Sequence, residues 1–279
     1  MTVSWEHRWG TPARLDRCEA GHGRHHERRI VQVRLVPGVR AIDDCPSVPK
    51  WAGFDLLVFD AFAYADEPSY CVADDELSRA VLTQGVWEPW ATAVAVDILN
   101  HAGERGVLVD IGSHVGWYSM LAMCAGRHAY VLDADPEHVA LARQSAEDEG
   151  WGRMLHTAVG WLDANSRPLA FTEVGPVRLA KIDLEGMEAD AARVLAPMLE
   201  QRTVDYALVE LSPEFGDGWR DAVGVFTDAG YSAHLVPDKG ADVAEFEEGP
   251  LAATLACGFV PGWVTAQATV LFASPTALP

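Results

Sequence analysis

The sequence has few positive charges, few cysteines and no long apolar run, and each absence excludes a class of protein. Its 279 residues carry 21 Lys and Arg against 41 Asp and Glu. This excess of negative charge repels phosphate backbones, so nucleic acid is not expected as a partner. The five cysteines form no Cys-x-x-Cys pair, which argues against a disulfide framework or a cysteine-based zinc site. No apolar stretch reaches the roughly 20 residues that span a bilayer, and no signal-peptide core follows the polar start, so we expect a cytoplasmic protein without a membrane partner.

The positive charge is concentrated near the N-terminus. The first 40 residues hold eight Arg against four acidic residues, whereas the remaining 239 hold 13 basic against 37 acidic residues. This basic segment contacts either an anionic partner or the acidic body of the protein itself, and we favour the second. Cys18, His22, His25 and His26 lie in this segment but lack the paired spacing of zinc ligands. We therefore predict no metal site.

From about residue 89 onward, apolar runs of strand length alternate with helical patterns. Strands are predicted at residues 107–111, 129–132, 155–159, 177–182, 206–211, 231–236 and 269–273. Helices are predicted at residues 89–101, 117–125, 137–149, 187–200 and 219–229. Such alternation is typical of an α/β fold with a doubly wound, mostly parallel sheet. We predict a seven-stranded sheet of this kind.

Two parts of the chain fall outside this alternation. Residues 1–83 are predicted to form an N-terminal extension with strands at 30–36 and 54–64. We expect the extension to serve either substrate binding or oligomerisation, for example in a homodimer. Residues 84–279 form the main domain, in which residues 237–267 are long, acidic and rich in Gly and Pro. Insertions of this length often cover substrates, and we predict that role here.

The most informative segment is the loop after the first strand of the main domain. An apolar run with Asp110 near its end leads to glycines at positions 112 and 116 and then to a helical pattern. Strand, tight glycine turn and helix N-terminus, in this order, build the nucleotide site of open α/β sheets. The spacing Asp-x-Gly-x-x-x-Gly differs from the Gly-x-Gly-x-x-Gly of dinucleotide sites. It favours a ligand without a pyrophosphate, such as S-adenosylmethionine (SAM), over NAD.

Acidic residues also end two later strands. Asp133 lies 23 residues after Asp110, where a carboxylate can accept hydrogen bonds from a ribose diol; the alternative is a surface Asp that opens a turn. Asp183 and Glu185 follow the strand at 177–182. They fit either a general base beside the ligand or a charged turn that begins a helix. Asp110 itself either caps the loop amides or attracts a positively charged ligand, and both roles are compatible.

Three segments resemble the signature motifs of the FkbM-type SAM-dependent methyltransferases. They are residues 110–119 (DIGSHVGWYS), 131–136 (VLDADP) and 181–188 (KIDLEGME). The third is the most specific, whereas the first alone indicates only a class I methyltransferase. The resemblance covers about residues 84–236. It implies the seven-stranded sheet of the class I methyltransferases.

The resemblance implies a role for each matching residue. Asp133 would hold the ribose, although the family more often has Glu-Pro where this chain has Asp133-Ala134. His114, Asp183 and Glu185 would be catalytic residues at the site of transfer. The residues that would bind SAM are Glu88, Asp110, Gly112, Ser113, His114, Gly116, Asp133, Ala158, Val159 and Asp183.

The resemblance further implies a methyltransferase that acts on a hydroxyl group of a small-molecule or natural-product acceptor. One alternative is N-methylation of an amine or of a peptide side chain, including imidazole. Another is a non-catalytic binding module that keeps the fold. The glycine spacing disfavours an NAD-dependent oxidoreductase. Methyl transfer depends on proximity and orientation, and it requires no metal.

Overall fold

The computed structural model describes residues 7–8, 30–35, 54–59, 75–101, 106–162, 174–237 and 249–277. Three strands precede the main sheet: β1 (His7–Arg8), β2 (Ile30–Leu35) and β3 (Phe54–Phe59). They pair antiparallel in the order β1-β2-β3. The segment from Cys18 to His26, for which a zinc site was considered and disfavoured, lies outside the described residues, as does most of the basic segment.

A second sheet of seven strands forms the centre of the molecule. Its strands are β4 (Val107–Ile111), β5 (Ala129–Asp133), β6 (Leu155–Val159), β7 (Val177–Ile182), β8 (Val204–Leu211), β9 (Ser232–Leu235) and β10 (Ala268–Ala273). Their order is β6-β5-β4-β7-β8-β10-β9. β4 to β8 pair in parallel, whereas β10 is antiparallel to both of its neighbours. The predicted fold class, a doubly wound and mostly parallel seven-stranded sheet, is confirmed.

Helices cover both faces of this sheet. They are α1 (Glu76–Gln84), α2 (Pro89–Asn100), α3 (Trp117–Cys124), α4 (Pro136–Asp148), α5 (Glu188–Glu200), α6 (Gly218–Asp228) and α7 (Pro250–Ala256). Successive strand residues point to opposite faces, so Leu108 joins the apolar cluster with α2, α3 and α4, whereas Val109 joins the one with α5 and α6. None of the helices in the described ranges combines the length and apolarity needed to cross a membrane.

Strand β3 belongs to the core of the main sheet. Its residues Phe54, Leu56 and Val58 are buried in the same apolar cluster as α2 and α3. The ring of Phe54 lies 6.1 Å from that of Trp117 and 6.4 Å from that of Trp151. The amide of Leu57 donates to Ser145 Oγ at 2.9 Å. β3 and the main domain therefore share one hydrophobic core.

Helix α7 lies within the segment that was expected to cover the substrate. The indole nitrogen of Trp90 donates to Thr254 Oγ1 at 3.0 Å, and the amide of Leu251 donates to Asp97 Oδ2 at 3.2 Å. These contacts attach α7 to α2. Among residues 249–267, Gln267 lines the cavity described below and the others do not.

Candidate functional site

The carboxyl ends of β4, β5, β7 and β8 border a cavity of about 980 Å³. Parallel strands bring these ends to one edge of the sheet, which is where open α/β folds bind ligands. Of the described residues that line the cavity, nine are acidic and one is a lysine, Lys181. The acidic residues are Asp75, Glu76, Glu88, Asp133, Asp135, Asp183, Glu185, Glu210 and Glu214. The cavity therefore carries a strong excess of negative charge.

The glycine loop fits tightly between its neighbours. Gly112 has φ +76°, and a Cβ there would lie 2.8 Å from the carbonyl carbon of Asp183 and closer still to its oxygen. Only glycine lets β4 and its loop approach β7 this closely. Gly116 has φ +85°, and a Cβ there would lie 2.8 Å from Cβ of Ala142. Gly116 therefore allows close packing of α3 against α4, and it does not line the cavity.

Asp110 lies beneath the glycine loop rather than in the cavity wall. Its side chain is buried, and its Oδ2 accepts a hydrogen bond from Ser119 Oγ at 2.6 Å. Its Oδ1 has no hydrogen-bond partner among the described residues. Burial raises the pKa of Asp110 to about 6, although the Ser119 hydroxyl and the charge of Lys181 oppose this shift.

Asp133 ends β5 and accepts several hydrogen bonds. Its Oδ2 accepts from the amide of His114 at 2.8 Å, and its Oδ1 accepts from the amide of Asp135 at 2.8 Å. Nδ1 of His138 lies 3.2 Å from the same Oδ1. Burial by itself would raise the pKa of Asp133, but these hydrogen bonds outweigh it and the pKa is lowered. Asp133 is therefore a stable carboxylate.

Two histidine rings pack against each other, tilted by 32°, beside this carboxylate. His114 has φ +50° in the glycine loop, and its ring lies 3.9 Å from that of His138 in the first turn of α4. Nε2 of His114 lies 3.5 Å from Oδ2 of Asp75, which caps α1. Burial lowers the pKa of His114 despite this neighbour. His138 was not predicted as a site residue, although its position five residues after Asp133, at the start of a helix, could have indicated it.

Four residues meet on the side of the cavity formed by β7 and β8 and are called here the Lys181 cluster: Glu88, Lys181, Asp183 and Glu210. Nζ of Lys181 lies 3.2 Å from Asp183 Oδ2 and 3.6 Å from Glu88 Oε2. The hydroxyl of Tyr118 donates to the same Glu88 oxygen at 2.6 Å. Carboxylate oxygens of the three acids lie within 4.8 Å of one another, a spacing that suits a metal ion. Lys181 lies among them, however, and supplies a positive charge itself.

The protonation of this cluster follows from its crowding. Burial disfavours charge on Lys181, but Asp183, Glu88 and Glu210 outweigh it and raise its pKa, so the ammonium keeps its proton. Burial and then the charge of Asp183 raise the pKa of Glu210 to about 9, although Lys181 opposes this. The Glu210 carboxyl is therefore protonated at neutral pH. Gln267 donates a hydrogen bond to its Oε1.

Sequence reasoning gave Glu210 and Lys181 no role. Glu210 interrupts the apolar strand β8 near its carboxyl end, as Asp110 does in β4. This shared pattern is the signal that could have identified it. Lys181 stands in the third motif, directly before the end of β7.

Backbone strain is concentrated at the cavity. Four non-glycine residues in the described part of the chain have positive φ: Glu88, His114, Glu185 and Arg202. The first three line the cavity. Such conformations cost free energy and persist mainly where function requires them. Their position therefore marks the cavity as the candidate site.

The structure brings most of the predicted site residues together. Seven line the cavity: Glu88, Gly112, Ser113, His114, Asp133, Asp183 and Glu185. Four do not: Asp110, Gly116, Ala158 and Val159. In place of Ala158 and Val159, the following residues Gly160, Trp161 and Leu162 line it, and the Trp161 side chain is 73% exposed.

No protein-family model matches the sequence, and no curated protein matches it either. Several solved structures resemble it at low sequence identity. A TehB-like SAM-dependent methyltransferase from Corynebacterium glutamicum is 16% identical with a TM-score of 0.45, over 70% of this chain and 93% of that one. A precorrin-6y C5,15-methyltransferase from Geobacter metallireducens is 12% identical with a TM-score of 0.43, over 67% and 87%. An O-methyltransferase family protein from Burkholderia thailandensis is 12% identical with a TM-score of 0.43, over 72% and 58%. At these values the likeness concerns the fold alone.

Proposed function

We propose that this protein is a SAM-dependent methyltransferase. The observation that carries the proposal is the meeting of the acidic carboxyl ends of β5, β7 and β8 with the glycine loop around one cavity. Asp133 ends β5, Asp183 follows β7, and Gly112 follows β4, which lies between these two strands in the sheet. A ligand with a diol at one end and a positively charged group at the other would use Asp133, Gly112 and Asp183 together, and SAM has both groups.

The residues present fit this ligand. Asp110 keeps a buried carboxylate oxygen without a partner behind the loop, and an unpaired buried oxygen favours a positive charge nearby. The glycine loop provides a wall without side chains at Gly112. Asp133 would accept hydrogen bonds from the ribose, which requires His138 to leave its position 3.2 Å from Oδ1. When bound, SAM supplies a methyl group on a positively charged sulfur.

The FkbM-type family and a small-molecule acceptor are also part of the proposal. The third motif, residues 181–188, supports the family assignment, because Lys181 and Asp183 of that motif both line the cavity. A cavity of about 980 Å³ is in the range of small-molecule sites. The family resemblance favours a hydroxyl acceptor, whereas the negative charge of the cavity favours an amine.

The first experiment is a calorimetric titration of the protein with S-adenosylhomocysteine (SAH), the demethylated product. We expect SAH to bind and NAD to give no heat. Asp133→Ala should weaken SAH binding by about 10- to 100-fold, because hydrogen bonds to a charged group contribute about 1.5–3 kcal/mol. The exposed Asp228→Ala on α6 is the matched control and should bind as the wild type does. Failure of the folded wild-type protein to bind SAH would exclude the proposed function.

A further inference from the structure

The acceptor end of the cavity follows from the order of the strands. Asp133 ends β5 and Glu210 lies near the end of β8, and β4 and β7 stand between them. Three spacings of roughly 4.8 Å place the two strand ends about 14 Å apart. If Asp133 holds the ribose, as in the proposed function, the Lys181 cluster lies on the far side of β4 and is left for the acceptor.

The Lys181 cluster has one positive charge for three carboxyl groups. Lys181 contacts Asp183 and Glu88, which leaves Glu210 to be neutralised by a proton. Asp110, beneath the glycine loop, adds further negative charge nearby, since it interacts electrostatically with Lys181 and Asp183. A bound cation beside Glu210 could therefore replace this proton and neutralise the third carboxylate of the cluster.

An exposed aromatic ring borders the same end of the cavity. Phe215 lies in the short 3-10 helix Pro213–Phe215 that follows β8, and its side chain is 59% exposed. Phe215 lies close to Gly186: a Cβ added to Gly186 would be only 2.6 Å from the Cβ of Phe215. The side chain of Phe215 is thus packed against Gly186, three residues after Asp183, and it lines the cavity without being buried. Aromatic faces and carboxylates together are a common means of binding alkylammonium groups.

We propose that Glu210, with Asp183 and Glu88, binds a positively charged amine, and that the methyl group is therefore transferred to nitrogen. This rests on the proposed function. The ammonium gives one proton to a carboxylate of the cluster, and the freed lone pair forms the N–C bond. The C–S bond breaks with its electron pair on sulfur, which becomes a neutral thioether. An anionic acceptor is repelled by the same carboxylates.

The test uses three probes of matched shape and different charge. Wild-type protein saturated with SAH is titrated calorimetrically with 2-phenylethylamine, 2-phenylethanol and phenylacetate. We expect the amine to bind about tenfold more tightly than the alcohol, because a charge-assisted hydrogen bond contributes at least about 1.5 kcal/mol. The carboxylate should give no binding. If the alcohol binds as tightly as the amine, the proposal is wrong.

Proton release tests whether Glu210 is the carboxyl group that contacts the bound amine. A cation beside Glu210 lowers its affinity for the proton, so amine binding should release about one proton per site at pH 7. Titrations in phosphate and in HEPES buffer, which differ in ionisation enthalpy and contain no primary amine, measure this release. Glu210→Gln keeps the shape of the protonated carboxyl, and it should abolish the release and weaken amine binding about tenfold. Glu200→Gln, at the exposed end of α5, should retain both wild-type values.

The order of measurements separates two failures. SAH binding is measured first on each sample. Absence of SAH binding contradicts the proposed function itself. SAH binding without a preference for the amine, or with unchanged proton release in Glu210→Gln, contradicts only the assignment of the amine subsite.

Discussion

Replacing Gly112 by Ala tests the close contact that brings the glycine loop to β7. The substitution has two costs, a side chain at φ +76° and a Cβ placed against the Asp183 carbonyl. The first is about 1–2 kcal/mol. The second requires β4 and β7 to separate, and overpacking of this kind costs typically 1–3 kcal/mol more. We expect Gly112→Ala to lower the free energy of unfolding by about 2–5 kcal/mol.

Gly126→Ala is the matched control, because Gly126 has the same φ of +76° but nothing within 4 Å of the added Cβ. Urea denaturation of both variants separates the backbone strain, which they share, from the steric cost. Gly112→Ala should be less stable than Gly126→Ala and should bind SAH more weakly. Equal stability of the two variants would show that the loop does not approach β7 as described.

Two further predictions concern the buried carboxylate and the first sheet. Because folding raises the pKa of Asp110 from 3.8 to about 6, the folded state binds its proton more tightly, and this stabilisation is full below pH 3.8 and lost as the pH rises to about 6. Relative to Asp110→Asn, the wild type should lose about 3 kcal/mol of unfolding free energy across that window; parallel pH profiles would contradict the raised pKa. Phe54→Ala should cost about 3–5 kcal/mol because it opens a cavity against Trp117 and Trp151. Leu57→Ala, on the more exposed face of the same strand, should cost less, and equal losses would mean that β3 is not part of the core.

The sequence predicted the main sheet well because its strands are short apolar runs between clear turn signals. The strands at 107–111, 155–159 and 177–182 have the predicted bounds, and the others differ by one or two residues. Helices α1 and α7 were not predicted. α7 has seven residues, too few for a 3.6-residue period to stand out against the surrounding Gly and Pro.

The site was predicted only in part. Sequence motifs show which residues stand at strand ends, but they do not show which residues from other parts of the chain lie close to them in the fold. Asp133 and Asp183 stand at such ends and line the cavity as expected. His138 and Glu210 depend on tertiary contacts: a helix turn returning to Asp133, and β8 lying beside β7. Ala158 and Val159 are the last two residues of β6 and do not line the cavity, whose wall begins one residue later, at Gly160. A sequence pattern shows roughly where a strand ends, but it does not show which of the following residues line the cavity.

A crystal structure of the complex with SAH tests the proposed orientation of the ligand most directly. We predict that the ribose hydroxyls lie within hydrogen-bond distance of Asp133, that His138 has moved away from Oδ1, and that the sulfur faces the Lys181 cluster. SAH bound outside this cavity, or with its ribose at the Lys181 cluster, would contradict the assignment of both ends of the site.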